Sequence, residues 1–154
     1  AAHDKAVHGF LLWLKKTGIW PQFIVYDAGD LQRLRDLHGR GLIPFERPWL
    51  LFVLGRYSGG RSKPADLEPF LAALAPLDWP WAVCAFGPRE AACMERAAGM
   101  GGHMRVGFEN NLYLPDGAVA PDNAALVRLA AATAREAGRA LLGASELRAL
   151  TMNG

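Results

Sequence analysis

Four short apolar runs, at residues 23–26, 49–54, 81–86 and 104–108, are each followed by a stretch that reads as helix. No other feature of the chain constrains its fold as strongly. The runs begin roughly 20 to 30 residues apart, too far for hairpins and right for crossovers, so consecutive strands run parallel with right-handed connections. Between the runs, Asp27 or Asp30 caps a helix carrying Leu31, Leu34 and Leu37 that stops at Gly39. Pro64 stands at a first helical position ahead of Leu67, Phe70, Leu71 and Leu74, and Pro69 should bend the first turns of that helix. Pro88 opens a third helix, with Ala91, Ala92, Met94 and Ala97 as its apolar surface, ending near Gly99. Pro121 and Asp122 open an alanine-rich fourth that runs to Ala137 and stops at Gly138. One more helix, over residues 4–16, precedes the first strand and offers Phe10, Leu11, Trp13 and Leu14 as its buried side. The order is that of a single α/β domain, either four units of a (β/α)8 barrel or a small open doubly wound sheet.

The fourth run carries the most chemical information. Read as a strand, it puts Met104, Val106 and Phe108 on one face and Arg105, Gly107 and Glu109 on the other. A buried parallel strand normally reads apolar on both faces, so two opposite charges there must be paired or bind something. Geometry alone leaves an active-site pair and a structural ion pair equally open.

In both architectures ligands gather at the C-terminal ends of the strands. Those ends are residues 27–29, 55–60, 87–89 and 109–111, with Arg56 and Arg89 as the cations nearest them. Glycines recur at this level, where backbone must turn sharply or approach a ligand. Asp27 reads better as a helix cap than as a ligand, and Gly59-Gly60 better as a plain turn than as a phosphate cradle. The chain has no Walker loop and no Gly-x-Gly-x-x-Gly fingerprint. His3 and His8 read as surface residues, His38 as a helix-end residue, and His103 as lying at the strand end remote from the site. Cys84 reads as a small core residue, and with Cys93 it suggests no disulfide framework.

Composition narrows the remainder. With 17 basic and 15 acidic residues spread without blocks, the formal charge of +2 argues for neither nucleic acid nor a membrane surface. The longest strongly apolar run is too short to cross a bilayer, no leader pattern is visible, and a reducing cytoplasm is the expected setting. At 154 residues the chain can bury a real core, but it lacks an initiating methionine, which suggests a piece of a longer protein.

The segment Gly-Gly-His-Met-Arg-Val-Gly-Phe-Glu-Asn-Asn-Leu-Tyr at 101–113, with Leu-Pro-Asp-Gly at 114–117 and Asp-Asn-Ala-Ala-Leu-Val at 122–127, resembles the β-keto acid cleavage enzymes. The likeness continues upstream at residues 26–29, 52–55, 64–67 and 85–87 and covers nearly the whole chain. It implies a TIM-type (β/α)8 barrel that holds a divalent metal, usually zinc, and converts a β-keto acid and acetyl-CoA into acetoacetate and a new CoA thioester. It also implies that Glu109 is a metal ligand at the end of the eighth barrel strand. Arg105 would then order the acid/base machinery. Arg56 and Arg89 become candidate substrate and CoA contacts, and Gly107 leaves room for substrate beside the charged pair.

The sequence departs from the family pattern in three places. Many relatives carry Asp after the ligand Glu; here the position is Asn110, which hydrogen-bonds but does not exchange a proton as a carboxylate does. Where relatives often carry glutamates on the fifth strand, this chain has Gln22 and Ile24. The His-x-His motif that supplies the other two ligands does not occur. By these landmarks the chain is one partial barrel domain over 1–154: helix four plus strands five to eight with their helices. Four strands do not close an eight-stranded barrel. The expectation is therefore a fragment or a self-associating half-barrel, inactive alone. The rival is a non-catalytic α/β module that binds a ligand or a subunit.

Overall fold

The computed structural model describes residues 2–56 and 59–152, so Tyr57 and Ser58 of the second strand-end loop lie outside the described residues. A first helix, α1 (Ala2–Lys16), leads into β1 (Gln22–Val25), α2 (Ala28–Gly39) and β2 (Trp49–Leu54). A single 3-10 turn (Pro64–Leu67) then feeds α3 (Glu68–Leu74), followed by β3 (Trp81–Ala85), α4 (Glu90–Gly99) and β4 (His103–Met104). The chain closes with α5 (Asn123–Glu136) and α6 (Ala144–Met152). The sheet is four-stranded, in the order β1-β2-β3-β4, and every neighbouring pair is parallel. Strands in sequence order with helical crossovers are what half of a TIM barrel looks like.

The two faces of the sheet differ. Leu50, Phe52 and Leu54 of β2, with Trp81, Val83 and Ala85 of β3, pack against the helices in the main core. Phe52 is its centre, stacked on Phe70 of α3 at 4.8 Å and on Trp81 at 5.4 Å between ring centroids. The alternate residues Leu51, Val53, Ala82 and Cys84 form a second, smaller cluster with Phe86. That is the face a closed barrel turns inward. Both faces of β2 and β3 are buried, which is why those strands read as continuous apolar runs.

Local signals explain the helix starts. Asp27 caps α2, its Oδ1 accepting from the Asp30 N–H at 2.9 Å, while Asp30 accepts from the Tyr26 N–H at 3.0 Å. Asp122 caps α5 in the same way, accepting from Ala125 at 2.7 Å. Pro69 does not bend a long helix as expected. The 3-10 turn ends at Leu67 and α3 restarts at Glu68, so the proline falls in a first turn, where its missing N–H costs nothing.

Other expectations need correction. Among the described side chains of α1 only Leu11 and Leu14 are buried; Phe10 and Trp13 stack on each other in the open, 57% and 52% exposed. His8 is not a free surface residue, because its Nδ1 lies 3.0 Å from the Leu42 carbonyl and ties α1 to the loop before β2. The fourth strand is much shorter than 104–108. One further ladder bond, from the Arg105 N–H to the Val83 carbonyl at 2.9 Å, follows Met104, and the chain then turns at Gly107 with φ +155°. The helix α6 has no counterpart in the sequence reading. Among the described residues no helix is long and apolar enough to cross a membrane.

Candidate functional site

The C-terminal ends of all four strands meet at one rim. On the inward face, Ile24, Tyr26, Asp27 and Asp30 from the first unit and Leu51, Val53 and Arg56 from the second line a hollow of about 620 Å³. Cys84, Phe86, Arg105, Glu109 and Asn110 complete it. The floor is apolar and the charges stand around the mouth, the usual arrangement of a small-molecule site. A neighbouring hollow of about 390 Å³ lies between the strand-end loops, lined by Arg56, Arg61, Phe86, Phe108 and residues 109–113 among others.

Arg105 and Glu109 form an ion pair, Nη2 to Oε2, at 2.5 Å. Four residues of continuous strand span about 13 Å, so two residues at that spacing in a strand could not touch. They meet because the strand stops. Gly107 takes a positive φ that few other residues adopt, and the Asn110 and Asn111 N–H groups both donate to its carbonyl, at 2.9 and 3.1 Å. The turn swings Glu109 back over Arg105. Phe108, read as lying on one strand face with Met104 and Val106, leaves the sheet and lines the neighbouring hollow. Both charged side chains remain partly exposed, 42% and 57%, so the pair is open to a ligand rather than locked in the core.

The residue after the carboxylate, Asn110, is buried and lines both hollows, and its carbonyl accepts from the Gly87 N–H at 3.0 Å. That bond ties the end of the fourth unit to the end of the third. Arg56 reaches across the rim: its guanidinium stands 4.6 Å over the Tyr26 ring and donates to the Tyr26 and Gly55 carbonyls, both at 3.1 Å. Arg89, exposed where α4 begins, is not among the described residues that line either hollow. The 55–60 loop is closed by the Arg56 N–H donating to the Gly60 carbonyl at 3.1 Å. A Cβ on Gly55 would come within 2.5 Å of that same carbonyl oxygen, so this glycine serves a tight turn.

Burial pushes the Cys84 thiol up to about 11, which keeps it neutral on the hollow's floor. His103 lies against Trp49 at the opposite end of the sheet from the rim, and burial lowers its pKa below the ordinary value. His38 approaches the Phe45 carbonyl at 3.1 Å and packs edge-on to Trp79.

Glu90 escapes the sequence reading, which places Asn111 at the fourth strand end without a role of its own. Glu90, at the start of α4, is only 2% exposed, and Asn111 is 5% exposed beside it, donating from Nδ2 to Glu90 Oε2 at 3.2 Å. Asn111 also donates to the Tyr113 carbonyl at 2.6 Å and accepts from the Tyr113 N–H at 3.0 Å. A glutamate in a first helical turn is common for reasons of helix polarity alone, so no local signal could have singled it out.

A complete metal site does not fit the residues present. Among the described residues no group of three or more His, Cys, Asp or Glu side chains is placed to hold an ion. Glu109, already paired with Arg105, is the one acidic group the fourth unit turns toward the inner hollow.

The family model for beta-keto acid cleavage enzymes matches residues 1–152. The 3-keto-5-aminohexanoate cleavage enzyme of Acetoanaerobium sticklandii is 31% identical over 145 residues, covering 94% of this chain and 52% of that protein. The enzyme of the same name from Fusobacterium nucleatum is 30% identical over 146 residues, with the same coverage of 94% and 52%. A 3-dehydrocarnitine:acetyl-CoA trimethylamine transferase from Rhizobium meliloti is 32% identical over 133 residues, 85% of this chain and 43% of that protein. This chain thus spans about half the length of the curated relatives it matches. With its parallel (β/α) units and the match running almost end to end, the chain belongs to the beta-keto acid cleavage enzyme family.

Proposed function

We propose that this chain forms the C-terminal half of a β-keto acid cleavage site, in which a β-keto acid and acetyl-CoA give acetoacetate and a new acyl-CoA. The observation that carries the reading is the Arg105–Glu109 pair, held at the mouth of a hollow with an apolar floor and flanked by buried Asn110. A scaffold that had drifted from catalysis would gain nothing from two charges turned to its inward face.

In this reading Arg105 orients the carboxylate and offers remaining N–H donors to an anionic substrate oxygen. Asn110 hydrogen-bonds a substrate or a neighbouring group without taking its proton. Arg56, already anchored on Tyr26, meets the acid group of the substrate or the phosphates of the CoA. Arg89 is the weaker contact, standing outside both hollows. Glu109 is the one ligand that this chain contributes to a zinc ion, and the other donors come from outside it. The same incompleteness supports a second reading, a half-barrel that serves to bind or assemble with another unit. In both, the outer edges of β1 and β4, unpaired among the described residues, are where a further sheet is added.

Equilibrium dialysis of zinc against the 154-residue chain and its Glu109→Gln variant separates the readings. Zinc retained by the wild type and lost by the variant supports the ligand role and leads to an assay for acetoacetate formed from acetyl-CoA. Equal zinc in both overturns the assignment of Glu109. Zinc in neither, together with a stable complex between copies, favours the assembly module.

A further inference from the structure

We propose that Glu90 is the positioning residue of this rim: buried beneath the 107–111 turn, it holds Asn111 and through it the backbone course that presents Glu109 and Asn110 to the inner hollow. The proposal rests on the proposed function only in what the turn presents; the contacts stand without it.

Glu90 Oε2 accepts from Asn111 Nδ2 at 3.2 Å, and the Asn111 amide in turn grips both backbone groups of Tyr113. One residue earlier in the same turn, the Gly87 N–H donates to the Asn110 carbonyl, while the Gly87 carbonyl accepts from the Glu90 N–H at 3.1 Å. Glu90 therefore sits inside a closed circuit running from Gly87 through Asn110 and Asn111 back to its own carboxyl. A one-residue slip of the turn would break this circuit and carry Glu109 away from Arg105. The second oxygen, Oε1, has no hydrogen-bond partner among the described residues and is sealed from water. A charged carboxylate is costly in such a place, whereas a neutral carboxyl is tolerated.

Burial is the main influence on this group and pushes its pKa up to about 7. The Asn111 amide and the Gly107 N–H oppose the rise, the latter without closing a hydrogen bond to Oε1. The titratable neighbours are Cys84 on β3 and Cys93 on α4, with Arg89 next to it in sequence. Both thiols are pushed up by burial, so neither changes charge near neutrality. Near pH 7 the carboxyl thus gains a charge that its surroundings do not welcome, and the turn it supports is the element that must respond.

The test is backbone amide NMR of the 154-residue chain between pH 5 and 9. The amide signals of Gly87, Asn110 and Asn111 are expected to move with one shared midpoint near 7 in the wild type. In Glu90→Gln they stay at their acidic positions at every pH, since the amide side chain keeps the acceptor for Asn111 and never ionises. This variant also controls for the four histidines, whose own titrations it leaves in place. In Glu90→Ala the hydrogen exchange of the Gly87 and Asn111 amides should quicken about tenfold or more, while that of β2 stays put. A purely space-filling Glu90 would give no shared midpoint. The proposal is overturned if the turn amides do not titrate, if they titrate equally in Glu90→Gln, or if Glu90→Ala exchanges at the wild-type rate. Should the alanine variant fail to fold, the glutamine comparison decides alone. Loss of zinc binding or of acetoacetate formation would not move any of these signals, so the two ideas fail separately.

Discussion

Replacing Glu90 by Gln should make the protein more stable at neutral pH and leave it nearly unchanged in acid. In the folded chain the carboxyl holds its proton up to about pH 7, against an ordinary value of 4.5. Folding is therefore helped by the proton. Below pH 4.5 both folded and unfolded chains carry it, and the contribution is fully present. Between 4.5 and about 7 the unfolded chain releases its proton first, and folded stability declines; above 7 both are ionised and the loss is complete. At about 1.4 kcal/mol for each tenfold difference in proton affinity, the full loss is about 3 kcal/mol. The side chain is almost wholly buried, so solvent screening removes little of this. Most of the loss falls between pH 5 and 8, where it amounts to roughly 2 to 3 kcal/mol. Urea unfolding at those two pH values, with wild type and Glu90→Gln run together, measures it as a change in midpoint at constant slope. The wild type should weaken by that amount relative to the variant as the pH rises. Parallel stability curves would refute the reasoning, because they would mean that Glu90 is as easily ionised in the fold as out of it.

Other perturbations address neighbouring parts of the structure. Gly102→Ala places a Cβ within the Trp81 ring, which is held by its stack on Phe52, and should cost about 1 to 3 kcal/mol by urea unfolding; unchanged stability would mean the ring gives way freely. Under the proposed function, Arg105→Lys keeps the charge but not the planar fork, and kcat of the chain joined to whatever completes its site should fall about tenfold or more with the fold intact by circular dichroism; wild-type kinetics would remove the guanidinium from the reaction. Asn110→Asp should fold with a loss of under about 2 kcal/mol in thermal melts, and a larger loss would mark Asn110 as a structural hydrogen-bonding residue instead. Cys84, 2% exposed and with its thiol pushed up to about 11, should react with iodoacetamide at pH 8 at least about a hundredfold more slowly than a free cysteine; rapid labelling would show that the hollow's floor opens.

Much of the architecture was legible because it is written in local patterns. Continuous apolar runs gave away the doubly covered strands β2 and β3, and Asp27 and Asp122 marked helix starts by side-chain chemistry that acts over three residues. The pairing of Arg105 with Glu109 was legible as a coincidence of charges but not as a geometry. Strand periodicity put both on one face at a distance they could not bridge, and the contact depends on the backbone reversal at Gly107. Glu90 was invisible for a similar reason. Its burial depends on a turn folding over it from residues 107–111, and no window around position 90 contains that turn. Phe10 and Trp13 misled in the other direction: their apolar character records an affinity for burial but not whether a surface within the described fold provides it.

All four strands point the same way, and among the described residues no strand lies beside the outer edges of β1 and β4. A sheet with one polarity is selective about what can extend it. A unit that continued the parallel ladder at either edge would end its own strands at the rim where Arg105 and Glu109 stand, whatever its sequence. One that added antiparallel would bring strand beginnings to that rim and leave its ends at the far side, beside Trp49 and His103. The direction of the chain within the sheet therefore decides whose side chains can share the hollow, before any individual contact does.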